Sequence, residues 1–346
     1  ATVQCWCRDG AVMVHLYSGH KLLHLCDDLL LRIQNLIART VRRGTRIHGF
    51  AEAGGAQHAA KGAPAPGHGC DQLVIRLTFL EPGDLEGKPY ARYWQPEMQP
   101  LPPHVAQAIA HGEEASELGF PLEEADRLLE PGDLPLENGF TTLRDGTIFV
   151  AVRTEMPGVT GAMFEWWMGW HPGEPQRYKL WHPRAHLDNG TREGHSDNPQ
   201  LSDRDKYLTT HFVTEYVGRK CQRITIHFSP AEDWFPPSTQ LDAHGTTALV
   251  CGTVHLRRPR IKIAHLIHQI REGPDSGTVM RSRFWLGPPE WRGLSRQHWL
   301  SRALGRAGAM RRQHGGDLGR DMLVHCGMEM NHLASFLPAL YADYHE

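Results

Sequence analysis

The signatures that most quickly identify an enzyme are missing from this chain. No H-E-x-x-H, Walker A lysine loop, G-x-S-x-G elbow or strand-following G-x-G-x-x-G occurs in its 346 residues. Serine nucleophile catalysis, phosphoryl transfer and dinucleotide chemistry therefore drop well down the list. Net charge is also small, formally -2, so neither a nucleic-acid partner nor an anionic membrane surface is suggested. No apolar run reaches the roughly 18 residues of a membrane span. The cysteines (Cys5, Cys7, Cys26, Cys70, Cys221, Cys251, Cys326) are odd in number, scattered and free of any C-x-x-C pair. That argues against a zinc ribbon or a disulfide framework and for a reducing, cytoplasmic compartment. No internal repeat is visible.

What the chain does have is apolar mass and histidine. Hydrophobic residues make up 40%, with 10 Trp and 11 Phe, enough for a real core in one large domain or two ordinary ones. The 23 histidines are the compositional oddity and can serve as ligands, general acids or plain surface residues.

Three regions are expected. Residues 1–70 read as a poorly ordered extension: an amphipathic stretch from Leu22 to Val41 runs into Arg42, Arg43 and Arg46, then into an Ala/Gly/Pro/His-rich linker from Ala51 to Gly69. Residues 71–145 read as a small α+β subdomain, with a strand at Asp71–Leu80 and helices at His104–Ala110 and Leu122–Leu129. Residues 146–346 carry strands at Thr147–Arg153, Arg177–Trp181, Tyr207–Val217, Cys221–Phe228, Ala248–His255, Ile261–Arg271 and Thr278–Leu286. A Trp-heavy helix lies at Gly158–Trp170, and one long helix from about Asp321 to Tyr341 closes the chain. Strand runs bounded by helices predict an antiparallel sheet in an α+β fold. A long last helix on a curved sheet leaves room for a small-molecule site.

The chemistry-bearing residues fall in separate segments. In the closing helix, His325 and Glu329 are four apart and share a face, so they form either half of a site for a borderline metal such as zinc or an ordinary polar pair. Arg177–Asn189 crowds Tyr178, Trp181, His182, His186 and Asn189 into about a dozen residues, a density more typical of functional loops than of cores. Pro183 breaks any regular helix through His182 and His186, which favours one ligand plus one structural histidine. Glu215 alternates with Val213 and Val217, and an ionised carboxylate on a buried strand face needs an ion or a partner. If the strand turns that face to water, it needs neither. His265 and His268 point to opposite faces of one strand, and parity does not choose between them.

Several motifs occur in the order found in a known family. Leu136-Glu-Asn-Gly-Phe140, Ala151-Val-Arg-Thr-Glu-Met-Pro-Gly-Val159, Trp166-Trp-Met-Gly-Trp-His171 and Arg177-Tyr-Lys-Leu-Trp-His-Pro-Arg-Ala-His186 are followed by Phe212-Val-Thr-Glu-Tyr-Val-Gly218, Met280-Arg-Ser-Arg-Phe-Trp-Leu-Gly287 and the His325/Glu329 segment. Together they resemble the 2,4-diacetylphloroglucinol hydrolase and phloretin hydrolase family over about residues 75–346, most strongly from 136 onward. The resemblance implies a zinc-dependent hydrolase that cuts the carbon–carbon bond between an acyl group and a phloroglucinol-type ring. It implies a helix-grip catalytic domain like that of the birch-pollen allergen, with a smaller N-terminal part and a homodimer. Position by position, the metal ligands would be His186, Glu215, His325 and Glu329. Tyr178 and Asn189 would hold ring hydroxyls, His268 would act on the substrate, and Glu215 could also take a proton from water. Phe284 stands where some relatives have Tyr, which bears on the choice of acyl-phenol.

The rival expectation is a helix-grip protein that binds an aromatic or polyketide-like ligand without cleaving it. A decarboxylase or cyclase of aromatic polyketides on the same scaffold is a third. A complete set of ligands distinguishes the first reading, because a pure binder has no need of one.

Overall fold

In the computed structural model the described residues are 2–8, 11–17, 80, 83–236, 244–258, 260–273, 277–291 and 315–345. The chain divides into two compact units, Ala1–Leu77 and Thr78–Glu346. Of the first, the structure describes an antiparallel hairpin, β1 (Thr2–Arg8) with β2 (Ala11–Tyr17). The expected Leu22–Val41 helix, the linker that follows it and most of the Asp71–Leu80 strand lie outside the described residues.

The second unit is α+β, built on one eight-stranded antiparallel sheet. Its strands are β3 (Gly139–Thr142), β4 (Ile148–Glu155), β5 (His186–Thr191), β6 (Thr210–Val217), β7 (Lys220–Ser229), β8 (Thr246–Leu256), β9 (Ile261–Glu272) and β10 (Thr278–Trp291), in the spatial order β3-β4-β10-β9-β8-β7-β6-β5. The helices are α1 (Pro103–His111), α2 (Gly161–Trp170), α3 (Pro175–Trp181), α4 (Asp203–Tyr207), α5 (Gly315–Ala334) and α6 (Leu337–Tyr344).

Strand alternation divides the core in two. On β4, β8, β9 and β10, Val150, Val152, Val250, Leu266, Ile270, Met280 and Phe284 face one cluster, and α5 adds Leu323, Cys326, Met330 and Leu333 to it. The intervening residues Phe149, Ala151, Leu249, Cys251, Ile267 and Trp285 face a second cluster, completed by Phe120, Leu128 and Leu129. A period of two along each strand produces this split.

The sheet and the long helix meet at a turn that only glycine fits well. Gly218 links β6 to β7 with φ +59°, in the left-handed region, and a Cβ there would collide with the Asp321 carboxylate of α5. The turn thus lies close against α5 at the end of β6.

Three expectations need correction. Arg177–Trp181 belongs to α3 and is not a strand. Tyr178 and Leu180 alternate as in a strand, but Pro175 sits in the first turn, and the pair Tyr178 and Trp181 buries one helical face. The closing helix is two helices: α5 ends before Phe336, which is buried with φ -130°, and Pro338 lies in the first turn of α6. Leu122–Leu129 is a 3-10 segment kinked at Glu124, not an α-helix. β3 and β5 were missed, being short segments at the two sheet edges. β3 pairs with β4 across Leu143–Thr147, so the expected boundary at residue 145 falls within a hairpin turn.

Candidate metal centre

Four segments converge beside β5 and β6. Helix α3 ends at His182, whose carbonyl accepts hydrogen bonds from the Ala185 and His186 amides at 3.1 and 3.0 Å. This tight turn around Pro183 feeds directly into β5, whose first residue is His186. The register pairs His186 with Glu215 on β6, and α5 brings His325 and Glu329 from above, one helical turn apart.

His186, Glu215 and His325 each present a ligand atom within 4.8 Å of the others. Glu329 completes the group: its Oε2 lies 3.3 Å from His186 Nε2 and 3.5 Å from His325 Nε2, while Glu215 Oε2 lies 3.7 Å from His186 Nε2. Two ligand atoms bound about 2.0–2.1 Å from a tetrahedral ion are separated by roughly 3.3–3.4 Å. His186 Nε2 is buried and has no hydrogen-bond partner. Its other ring nitrogen, Nδ1, donates to the Tyr178 carbonyl at 3.0 Å, which fixes the tautomer with the Nε2 lone pair facing the carboxylates. The donor set therefore fits a divalent cation, with two carboxylates to balance its charge.

The charges of the four groups pull against one another. Burial raises the pKa of Glu329, and nearby Glu215 raises it further, against the lowering effect of His325. Burial holds His186 well below its ordinary value, helped by His182 and His325. Burial also pushes His325 down, but the Glu329 carboxylate, helped by Glu215 and the Tyr216 backbone, outweighs it and raises the imidazole to about 9. This is a buried cluster short of positive charge.

The other expected residues lie at graded distances. Tyr178 donates its hydroxyl to Glu215 and lies flat on His186, with ring centroids 3.7 Å apart and 6° between planes. Asn189 donates to the His171 carbonyl at 3.3 Å and leaves its own Oδ1 buried without a partner, free to accept from a ligand hydroxyl. His268 lies on the α5 side of the sheet and His265 on the other. His268 Nδ1 is 2.8 Å from Ser282 Oγ, and burial holds its pKa down at about 3. Ser282 also hydrogen-bonds Cys326, the neighbour of His325. No hydrogen bond, ion pair or ring contact joins His268 to the four converging side chains. Phe284 meets His268 edge-on at 5.7 Å. Of the four tryptophans in the Trp-rich stretch, Trp181 touches a ligand ring, edge-on to His186 at 5.5 Å. Trp166 and Trp170 stack on each other at 5.2 Å, away from the cluster.

Sequence reasoning passed over two buried histidines nearby. Trp167, His171, Tyr178 and His186 form a column of near-parallel rings, with His171 5.2 Å from Trp167 and 5.8 Å from Tyr178. His211 lies 6.1 Å from His171. Burial keeps His171 at about 3 and His211 at about 4, so both are neutral. The run Trp166–His171 was the available signal, since Trp167 and His171 are four apart on one helix face. A separate cleft of about 270 Å³ opens on the opposite face of the sheet, lined by residues including Pro121, Asp145, Lys262, His265 and Trp285. It contains none of the converging residues.

An α+β unit that gathers two imidazoles and two carboxylates in a buried, ring-lined site defines a protein with a candidate metal centre. The chain belongs to the DAPG hydrolase family: the family model described as "DAPG hydrolase PhiG domain" matches residues 120–342. It is 32% identical over 286 residues to 2,4-diacetylphloroglucinol hydrolase of Pseudomonas protegens, an alignment covering 79% of this chain and 90% of that protein. It is 28% identical over 202 residues to phloretin hydrolase of Eubacterium ramulus, covering 57% of this chain and 72% of that protein. Among solved structures, Ara h 8.0201 covers 52% of the chain at 10% identity with a TM-score of 0.25, a likeness too low to bear on the fold.

Proposed function

We propose that the protein is a zinc-dependent hydrolase that cleaves the carbon–carbon bond between an acyl group and a phloroglucinol-type ring, releasing a carboxylic acid and a phenol. The observation that carries this reading is the convergence of His186, Glu215, His325 and Glu329 around the unpartnered His186 Nε2, in a chain whose relatives are named for hydrolysis of such compounds. The antiparallel sheet closed by α5 supports a helix-grip fold, and the same reading includes a homodimer in the cytoplasm.

His186, Glu215, His325 and Glu329 would hold the ion, and two histidines favour zinc over calcium or magnesium. Bound there, zinc supplies Lewis acidity toward the acyl carbonyl and lowers the pKa of a water. The chain's own groups do the rest. Glu215 would take a proton from the attacking water, with the neutral Tyr178 hydroxyl donating a hydrogen bond to its carboxylate. For the bond to break, the ring carbon must gain a proton while the acyl carbon gains the hydroxyl, so that the electron-rich ring departs as a neutral keto or enol form. Asn189 Oδ1, buried and unpaired, accepts a ring hydroxyl, and Tyr178 holds another. Fixing these hydroxyls favours the tautomer that accepts the proton. His268, neutral through burial, acts on the substrate from the sheet side. The complete ligand set favours this reading over a non-catalytic binder of aromatic ligands.

Metal analysis of purified protein, paired with hydrolysis of diacetylphloroglucinol and phloretin, tests the reading in wild type and Glu329→Ala. The expected result is about one zinc per chain, as for a single catalytic site, with acid released and both lost in the variant. A metal-free protein that still binds the aromatic compounds would sink the hydrolase and leave the binder.

A further inference from the structure

One short segment touches both imidazoles of the centre face-on. Tyr178 lies on His186 at 3.7 Å and 6°. His182, four residues later, lies on His325 at 5.0 Å and 17°. Each imidazole is also tied to a backbone: His186 to the Tyr178 carbonyl and His325 to the backbone of Tyr216. A hydrogen bond at one ring nitrogen fixes which nitrogen faces the ion, yet it leaves the ring free to swing about that bond. A flat neighbour on the ring face removes that freedom.

We propose that Tyr178 and His182 form a two-ring clamp, and that His182 is the positioning residue that sets the plane of the ligand His325. This inference rests on the metal reading above and adds to it a residue outside the ligand set. The backbone explains why the clamp works as a unit. His182 ends α3 in a non-helical conformation (φ -138°, ψ 85°), and its carbonyl accepts the amides of Ala185 and His186. The turn that aims the His182 ring at His325 is thus the turn that delivers His186 to the site. The ring itself is buried, and its Nδ1 has no hydrogen-bond partner, so at that edge no polar contact holds it in place. Its near-parallel contact with His325 is closer than its tilted one with His186, which lies at 5.5 Å and 47°. Offset parallel rings at this separation are a favoured aromatic arrangement, and groups that orient metal ligands from behind commonly govern metal affinity.

The test uses the full-length chain, Zn²⁺ competed against a chromophoric chelator, and the visible spectrum of the Co²⁺-loaded protein, for wild type, His182→Ala and His182→Phe. Loss of an orienting group predicts Zn²⁺ binding weaker by about tenfold or more in His182→Ala, and within about threefold of wild type in His182→Phe. The Co²⁺ bands should move in the first variant and stay in the second. Circular dichroism and melting of the metal-free proteins separate a lost clamp from a lost fold, and if His182→Ala fails to fold, His182→Leu, which fills the space without a flat ring, takes its place. Wild-type affinity and spectrum in His182→Ala would overturn the clamp, and so would a His182→Phe as impaired as His182→Ala. A wild-type chain that takes up neither ion overturns the metal reading, and the clamp with it.

Discussion

The two faces of the sheet each bury a group of charges, and they balance them in opposite ways. On the face away from α5, Glu137 accepts from Arg281 Nε at 3.2 Å, from Arg283 at 2.7 Å and from the Leu134 amide at 2.9 Å. Arg281 continues to the Gly132 carbonyl at 2.6 Å, and Arg283 to the Leu136 carbonyl at 3.2 Å. Burial works against the Glu137 charge, but Arg283, Leu134 and Arg281 together hold its pKa below the usual carboxylate value. On the α5 face two carboxylates meet two histidines, Glu329 is pushed up, and His186 Nε2 has no partner. One cluster carries its cations within the chain. The other sets two carboxylates against a single imidazole raised toward protonation, His325, and has room for one more cation. A buried charge group with its counter-charges in place is structural, and one that lacks them points to a ligand.

The largest effect expected from this contrast comes from breaking the closed cluster. Glu137→Ala leaves two buried guanidinium groups without their carboxylate, a change that typically costs about 3–5 kcal/mol. Urea unfolding should show that loss, while zinc bound per folded chain stays at the wild-type ratio. A variant that keeps its stability but loses metal would mean that the two faces are coupled and the contrast is wrong.

Acid should separate the faces next. His171, His211 and His268 all lie in the α5-side layer, where burial holds them neutral to about 3, 4 and 3 against an ordinary 6.5. An unfolded chain binds these protons first. Their contribution is therefore complete above about pH 6.5 and is lost as pH falls toward the folded values, at about 1.4 kcal/mol per pH unit for each histidine. Glu137 has a depressed pKa, so its ion pairs persist until the pH falls below the ordinary carboxylate range. Melting between pH 7 and 4, with a chelator present so that zinc release does not contribute, should show a steep early loss. A flat profile down to pH 5 would remove the histidine layer as its cause.

The sequence was most readable where one physical pattern dominated. Long alternating strands such as β7 and β9 were visible because one face is apolar over many residues. His325 and Glu329 were visible as a pair because helical spacing alone brings them together. Bringing His186 and Glu215 to the same point was beyond spacing, since that depends on an edge strand, β5, too short to alternate; family resemblance supplied it. The Glu137 cluster went unseen for the same reason: its arginines follow the carboxylate by 144 and 146 positions, and no local period records such a pairing. α3 was misread because five residues fit both periods, and Pro175 settled the matter in favour of a helix.

The smallest expected effect concerns His268, whose place in the contrast is the least fixed by geometry. Its Nδ1 meets Ser282 Oγ at 2.8 Å, so its ring has one polar anchor, and it shares no hydrogen bond or ring contact with the four converging side chains. Ser282→Ala removes that anchor together with the contact to Cys326, a loss of about 1 kcal/mol net per hydrogen bond and roughly 2–4 °C in melting temperature for each kcal/mol in a unit of this size. Zinc content should not change. Turnover separates the alternatives. If His268 acts on the substrate, an unanchored ring should lower kcat by a few-fold with little change in KM, because orientation matters most in the transition state. If kcat and KM are both untouched while the melting temperature falls, His268 fills the core as Gln269 does beside it, and the proton reaching the ring must come from Tyr178 or Glu215.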